Sequence, residues 1–264
     1  MMKKQLVILL ATSALLGACN KKDKKKEEAK QSTETQVQQT AFNKEQVTAI
    51  EQIVHKYIVN NPNVLAESIM NLQKQVADKQ QEKVIELLNK NKSDVERTAG
   101  IPVIGAPGAD VTILMFGDYT DMKSKAMFKM YQNILQKDSN VRMIFRFLPD
   151  TSALAQKAAR VAMAMNEQGL FDKFHERMLS TTEPLTETSL MDIAGNVPGV
   201  NRSKLDADVD AGKTKEAILN NRALAEKLGI TQAPGYVLGD FLLKQPITPE
   251  QLDMVIQNVR EKKK

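Results

Sequence analysis

Val111-Thr-Ile-Leu-Met-Phe-Gly-Asp-Tyr-Thr-Asp-Met-Lys-Ser-Lys125 is the stretch whose reading decides the fold. Val111 to Phe116 is a short, apolar, partly β-branched run, which predicts a buried strand. Gly117-Asp-Tyr-Thr120 reads as a turn, and beyond it Met122, Ala126, Met127, Met130 and Ile134 recur at helical spacing. Strand, tight turn and helix leave the helix N-terminus at the end of the strand. Free N–H groups and the positive end of the dipole gather there and stabilise an anion.

Phe116-Gly-Asp-Tyr119 followed by a helix resembles the Phe-x-Asp-Tyr-x-Cys-x-x-Cys signature of the DsbA-like branch of the thioredoxin superfamily. In that family the first cysteine is a low-pKa thiolate at the helix N-terminus and the second resolves the mixed disulfide. The four corresponding positions here are Asp121-Met122-Lys123-Ser124, so both thiols are replaced. A second likeness lies at Leu228-Gly-Ile-Thr-Gln-Ala-Pro-Gly-Tyr-Val-Leu238, similar to the family's Gly-Val-x-Gly-Thr-Pro-x-Phe-Val segment. The resemblance makes Pro234 the candidate cis-proline facing the turn; the residues alone leave either isomer open. It covers residues from about 101 to the C-terminus. The implied fold is α/β, thioredoxin-like with an inserted helical domain.

Length and composition agree. A chain of 264 residues has material for one sizeable domain with appendages. Its net charge of +5 sits largely in short lysine runs, with six lysines against three acids between Lys21 and Lys30. That argues against a folded nucleic-acid-binding face. Two histidines and one cysteine leave little for a metal site.

Lys3 and Lys4 precede an apolar stretch, Leu6 to Leu16, which is short for a bilayer span and reads as a secretory signal. It ends in Leu16-Gly-Ala-Cys19, similar to a bacterial lipobox. The likeness implies removal of residues 1–18, lipidation of Cys19 and, with Asn20 rather than aspartate next, an outer-membrane anchor facing the periplasm. A simple signal peptide with a chance cysteine is the alternative. Several acyl chains hold firmly, at about 0.8 kcal/mol per buried methylene. Residues 19–42 are rich in Lys, Glu, Gln and Thr and read as a tether.

Residues 43–99 read as a helical arm. Asn43 is a candidate N-cap for a helix carrying Val47, Ile50, Val54, Tyr57 and Ile58. Pro62 is suited to the first turn of the next, which carries Val64, Leu65, Ile69, Leu72, Val76, Val84, Leu87 and Leu88. So narrow a stripe predicts a seam with another helix rather than a core helix. Tyr57, Asn61, Pro62, Val64 and Leu65 resemble the dimerising arm of some DsbA-like lipoproteins, making Ile69, Leu72 and Val76 the candidate oligomer seam. The alternative is packing on the chain's own domain.

Gly100 to Asp110 is a Gly/Pro-rich connection into the domain, expected over 100–264. Val141 to Phe147 predicts a second strand beside the first, in a right-handed β-α-β unit. Residues of about 152–228 form the helical insert, with His175 in its core or at its boundary. Tyr236 to Leu238 and Phe241 to Leu243 read as a hairpin, and Thr248 caps a last helix.

The chemistry expected from these residues is slight. Asp121 suits an N-cap, Ser124 has no neighbouring histidine in sequence, and Lys123 and Lys125 read as solvated. No phosphate loop, metal spacing or nucleophile elbow is present. The expectation is therefore a redox-inactive DsbA-like lipoprotein with no catalytic residues, no metal and no cofactor beyond the lipid on Cys19. It would serve as a structural or protein-binding component of an outer-membrane or periplasmic assembly, by analogy a secretion-machine core, with envelope protein subunits and further copies of itself as partners. A chaperone-like binder using the groove by Pro234, or an enzyme of unrecognised type using Asp121 or the insert, are the alternatives.

Overall fold

The structure, a computed structural model, describes residues 42–263. The expected signal segment, Cys19 and nearly all of the tether lie outside the described residues. The chain divides into two units, one ending at Gln73 and the other spanning Lys74–Lys264.

The described part of the first unit is helical. Helix α1 (Lys44–Asn60) begins with a capping box, in which the Asn43 side chain accepts from Gln46 N at 2.8 Å and Gln46 Oε1 accepts from Asn43 N at 2.9 Å. It stops at Asn61, and α2 (Pro62–Lys90) starts on a proline that fits a first helical turn. No residue from Phe42 to Gln73 is buried.

The second unit holds the core. The C-terminal part of α2 packs here through Val84, Leu87 and Leu88, so this end of the helix, beyond the candidate seam at Ile69, Leu72 and Val76, packs on the chain's own domain. The compact unit thus begins ahead of position 100. Gln81 Nε2 also donates to Asp240 O at 2.8 Å. The short α3 (Lys92–Glu96) follows.

The sheet has the order β1-β3-β2-β4-β5. Its strands are β1 (Val103–Ile104), β2 (Val111–Gly117), β3 (Val141–Phe147), β4 (Gly235–Leu238) and β5 (Phe241–Leu243). The pair β2/β3 is parallel, from Val111↔Val141 to Gly117↔Phe147, and the other pairs are antiparallel. Six of the seven residues of β2, and likewise of β3, are buried, as expected of strands covered on both faces. Strand β1 lies in the stretch expected to be only a connection; at two residues between Pro102 and Gly105 it has no readable alternation.

Arg146 joins β3 to the segment before it. Its buried guanidinium donates to Asp94 O (2.7 Å), Arg97 O (3.0 Å) and Asn221 Oδ1 (3.2 Å). Burial pulls it down to about 10, still charged at neutral pH.

Helix α4 (Met122–Lys137) connects β2 to β3. Its buried face is Ser124, Met127, Phe128 and Tyr131, so Met122 and Ala126, expected on the apolar face, point to solvent. Gly117 allows the close approach of β2 to this helix: a Cβ there would meet Phe128 Cζ at 2.4 Å. The insert comprises α5 (Ala153–Glu167), α6 (Phe171–Ser180), α7 (Glu187–Gly195), α8 (Arg202–Val209) and α9 (Gly212–Lys227). Helix α5 buries Ala155, Ala158, Ala159, Ala162 and Ala164, small residues that let its neighbours come close. Helix α10 (Pro249–Glu261) closes the chain behind the Thr248–Gln251 capping box.

Candidate functional site

The turn after β2 and the segment before β4 meet because β2 and β4 are antiparallel neighbours, with Phe116 opposite Gly235. The Ala233–Pro234 peptide is cis. Asp121 is the N-cap of α4, its Oδ2 accepting from Ser124 N at 2.6 Å. The carboxylate therefore engages one of the free N–H groups that would otherwise help stabilise an anion at this end of the helix. Met122, beside it, is 84% exposed.

Ser124 is fully buried, and its Oγ has no hydrogen-bond partner. Two further hydroxyls share this state, those of Tyr131, on the same face of α4, and Tyr236 on β4, whose rings lie 5.5 Å apart. Burial pushes the Tyr236 hydroxyl well up, with the Asp121 carboxylate adding to the effect. Neither tyrosine was singled out from sequence; as apolar-looking residues in a helix and a strand they carry no chemical signal.

Asp118 is buried beside the turn. Its Oδ1 accepts from Thr120 N and Thr120 Oγ1, both at 2.8 Å, and its Oδ2 accepts from Asp150 N at 3.1 Å. Burial raises its pKa against the opposing pull of those hydrogen bonds. A cleft of about 470 Å³ opens here, with Asp118, Asp121, Asp150 and Arg222 in its lining and Thr231, Gln232 and Ala233 along one side. The sequence brought Asp121 and Pro234 forward, but not Asp150 or Arg222, which the fold delivers from the end of β3 and from α9. Lys125, expected to be solvated, is half-buried and donates to Thr181 O at 3.1 Å; burial lowers its pKa, with Lys129 contributing.

Behind the turn, Tyr119 sits among Phe128, Phe147 and Phe174, and its hydroxyl is hydrogen-bonded to His175 Nδ1 at 2.6 Å. His175 is 3% exposed, and burial pulls its pKa down to about 3. It is neutral at physiological pH, a core residue rather than an acid–base group. An unfolded histidine protonates near 6.5, so the folded state binds fewer protons below that value. His175's contribution is fully present above pH 6.5 and is lost as pH falls toward 3. Between pH 6.5 and 5.5, before most carboxylates titrate, unfolding free energy should fall by up to about 1.4 kcal/mol per pH unit. Urea unfolding of the native chain and His175→Gln checks this; equal slopes would show that His175 is not the source.

Ile69, Leu72 and Val76 lie on α2, away from the turn in sequence, and all are exposed. Among the described residues no group of His, Cys, Asp and Glu is arranged to hold a metal ion.

The thioredoxin family model matches residues 97–258, more than half of the chain. The chain belongs to the thioredoxin family. A second model, the N-terminal domain of the copper resistance protein ScsC, matches residues 46–79. A thioredoxin-like oxidoreductase from Silicibacter pomeroyi is similar in structure at 29% identity, covering 65% of this chain and 98% of that one, with a TM-score of 0.61. Proteus mirabilis ScsC in a transitional conformation is similar at 25% identity, covering 84% of this chain and 100% of that one, with a TM-score of 0.60. The thiol-disulfide exchange protein alpha-DsbA2 from Wolbachia pipientis matches at 23% identity over 69% of this chain and 97% of that one, with a TM-score of 0.61, a likeness of fold alone. No curated protein matches the chain.

Proposed function

We propose that this protein is a redox-inactive member of its family, a lipoprotein that acts as a structural or protein-binding component of an assembly in the periplasm and outer membrane. One observation carries the reading: where the family places its two thiols, the chain places a carboxylate bonded to the helix N-terminus and a buried serine. Thiol–disulfide exchange requires a thiolate as nucleophile and a second sulfur to resolve the intermediate. The sequence's one cysteine is Cys19, about a hundred residues before the turn in sequence and reserved in this reading for acyl chains. A periplasmic thioredoxin-like protein from Salmonella enterica serovar Typhimurium is among the similar structures, in keeping with the proposed compartment. Intact-mass measurement of the purified protein tests the lipid. The arm bears on partners: its exposed apolar side chains suit a helix–helix seam, which makes homo-oligomerisation part of the proposal.

Insulin reduction and scrambled-substrate refolding test the central point. The native chain should match the buffer control in both assays, and turnover clearly above it would overturn the reading.

The cleft beside Pro234 supports a second reading, a binder of extended polypeptide. The backbone groups of Thr231, Gln232 and Ala233 along its side make no hydrogen bond among the described residues, and unpaired backbone of this kind can be met by another extended chain.

A further inference from the structure

We propose that the cleft beside Pro234 takes an extended polypeptide that presents a lysine or arginine side chain to Asp118, Asp121 and Asp150. The proposal rests on the second reading above, and it names the class of polypeptide that would be preferred.

The cleft exists independently of its charges. It has a volume of about 470 Å³, and three consecutive residues, Thr231 to Ala233, border it with backbone groups free of partners. Its walls also include Leu148 and Pro149, apolar surface for the stem of a long side chain. Room, an open backbone edge and an apolar wall are what an extended chain needs.

The charges then decide what that chain carries. The lining holds three carboxylates and one cation. None of the three carboxylates takes part in an ion pair among the described residues. Each is held instead by neutral donors: Asp118 by Thr120 and the Asp150 N–H, Asp121 by the Ser124 N–H, and Asp150 by the Ser152 N–H at 2.8 Å. These bonds fix the carboxylates without cancelling their charge. The cation, Arg222, donates to Pro149 O at 2.5 Å rather than to an acid. Asp118 is the sharpest case, since it is only 4% exposed and faces the cleft with no positive group paired to it. A buried carboxylate is disfavoured by lost hydration, and a cation arriving in the cleft offsets that cost. Residues 1–41, with eight lysines and four acids, hold most of the chain's net charge of +5, so the rest of the chain is close to neutral and this concave group of carboxylates focuses a local negative potential. Asp121 adds to it where the family's signature has a cysteine.

The test uses the full chain in detergent and three fluorescent, capped peptides of about ten residues, a length that spans such a groove. The peptides are identical and Ser/Thr/Val-based except at two central positions, which are Lys, Gln or Glu. Anisotropy titrations at low salt should show the Lys peptide binding about tenfold or more tighter than the Glu peptide, with Gln between. The preference should shrink as salt is raised. It should also collapse in Asp121→Asn/Asp150→Asn, since asparagine still caps the helix and neither position is buried. Lys and Glu peptides binding equally well would overturn the charge preference while leaving the polypeptide reading standing. If none of the peptides binds up to millimolar concentration, the polypeptide reading falls and takes this proposal with it. A preference unchanged in the double variant would place recognition elsewhere and overturn the assignment to this cleft.

Discussion

Asp121→Cys/Ser124→Cys, made in a Cys19→Ser chain, is expected to confer thiol–disulfide oxidoreductase activity. The two positions stand one helical turn apart, at the N-cap and third residue of α4. A thiol at 121 would stand at the helix N-terminus, near the Ser124 N–H now engaged by the Asp121 carboxylate, conditions that lower a cysteine's pKa and raise its thiolate fraction. A thiol at 124 would replace a hydroxyl that has no hydrogen bond to lose, so the second substitution sacrifices no partner. The rest of the site, from the turn to the cis peptide at Pro234, stays as it is. The oxidised double variant should lack free thiols and show the mass of the reduced form less two hydrogens. Insulin reduction should rise to at least about tenfold above the parent chain, the parent having no nucleophilic thiolate. A folded double variant that keeps two free thiols under oxidant would mean that the turn has drifted from disulfide geometry. The site would then be remodelled, rather than merely stripped of its sulfurs.

The second large effect belongs to the arm. Leu65, Ile69 and Leu72 are 53%, 48% and 62% exposed, and Ile50, Val54 and Tyr57 on α1 are likewise in solvent. Each such side chain fully buried in a seam would contribute about 1.5–3 kcal/mol. Leu72→Asp/Val76→Asp should therefore reduce an oligomer of the native chain to monomers, read by light scattering, while thermal unfolding of the domain stays unchanged. A native chain that is monomeric at high micromolar concentration would end the self-association proposal. Loss of the whole unfolding transition in the variant would instead tie these residues to the domain's own stability.

Much of this molecule is visible in its residues, and what is hidden has identifiable causes. β2, β3 and the β4–β5 hairpin announce themselves through short, largely apolar runs ended by turn residues. The caps at Asn43, Asp121 and Thr248 do so through side-chain oxygens placed before helical periodicity. The register of α4 is less legible, because Met122 and Ala126 extend an apolar pattern whose buried stripe runs through Ser124, Phe128 and Tyr131. A serine in a buried stripe cannot be told from a surface serine until the fold encloses it. The cleft is less legible still. Asp118, Asp150, Arg222 and the 231–233 segment are far apart in sequence, and only the order of the strands brings them together. The family resemblance supplied Asp121 and Pro234; it had nothing to say about the charges around them.

The sheet ends in β1, of two residues, on one side and β5, of three, on the other. A strand's outer edge is a template on which another chain can polymerise, and its danger grows with its length. On both flanks that template is cut to a stub, and on the β3 side the stub comes from a Gly/Pro-bounded connection. The domain can therefore be crowded against copies of itself with little risk of zippering into fibres.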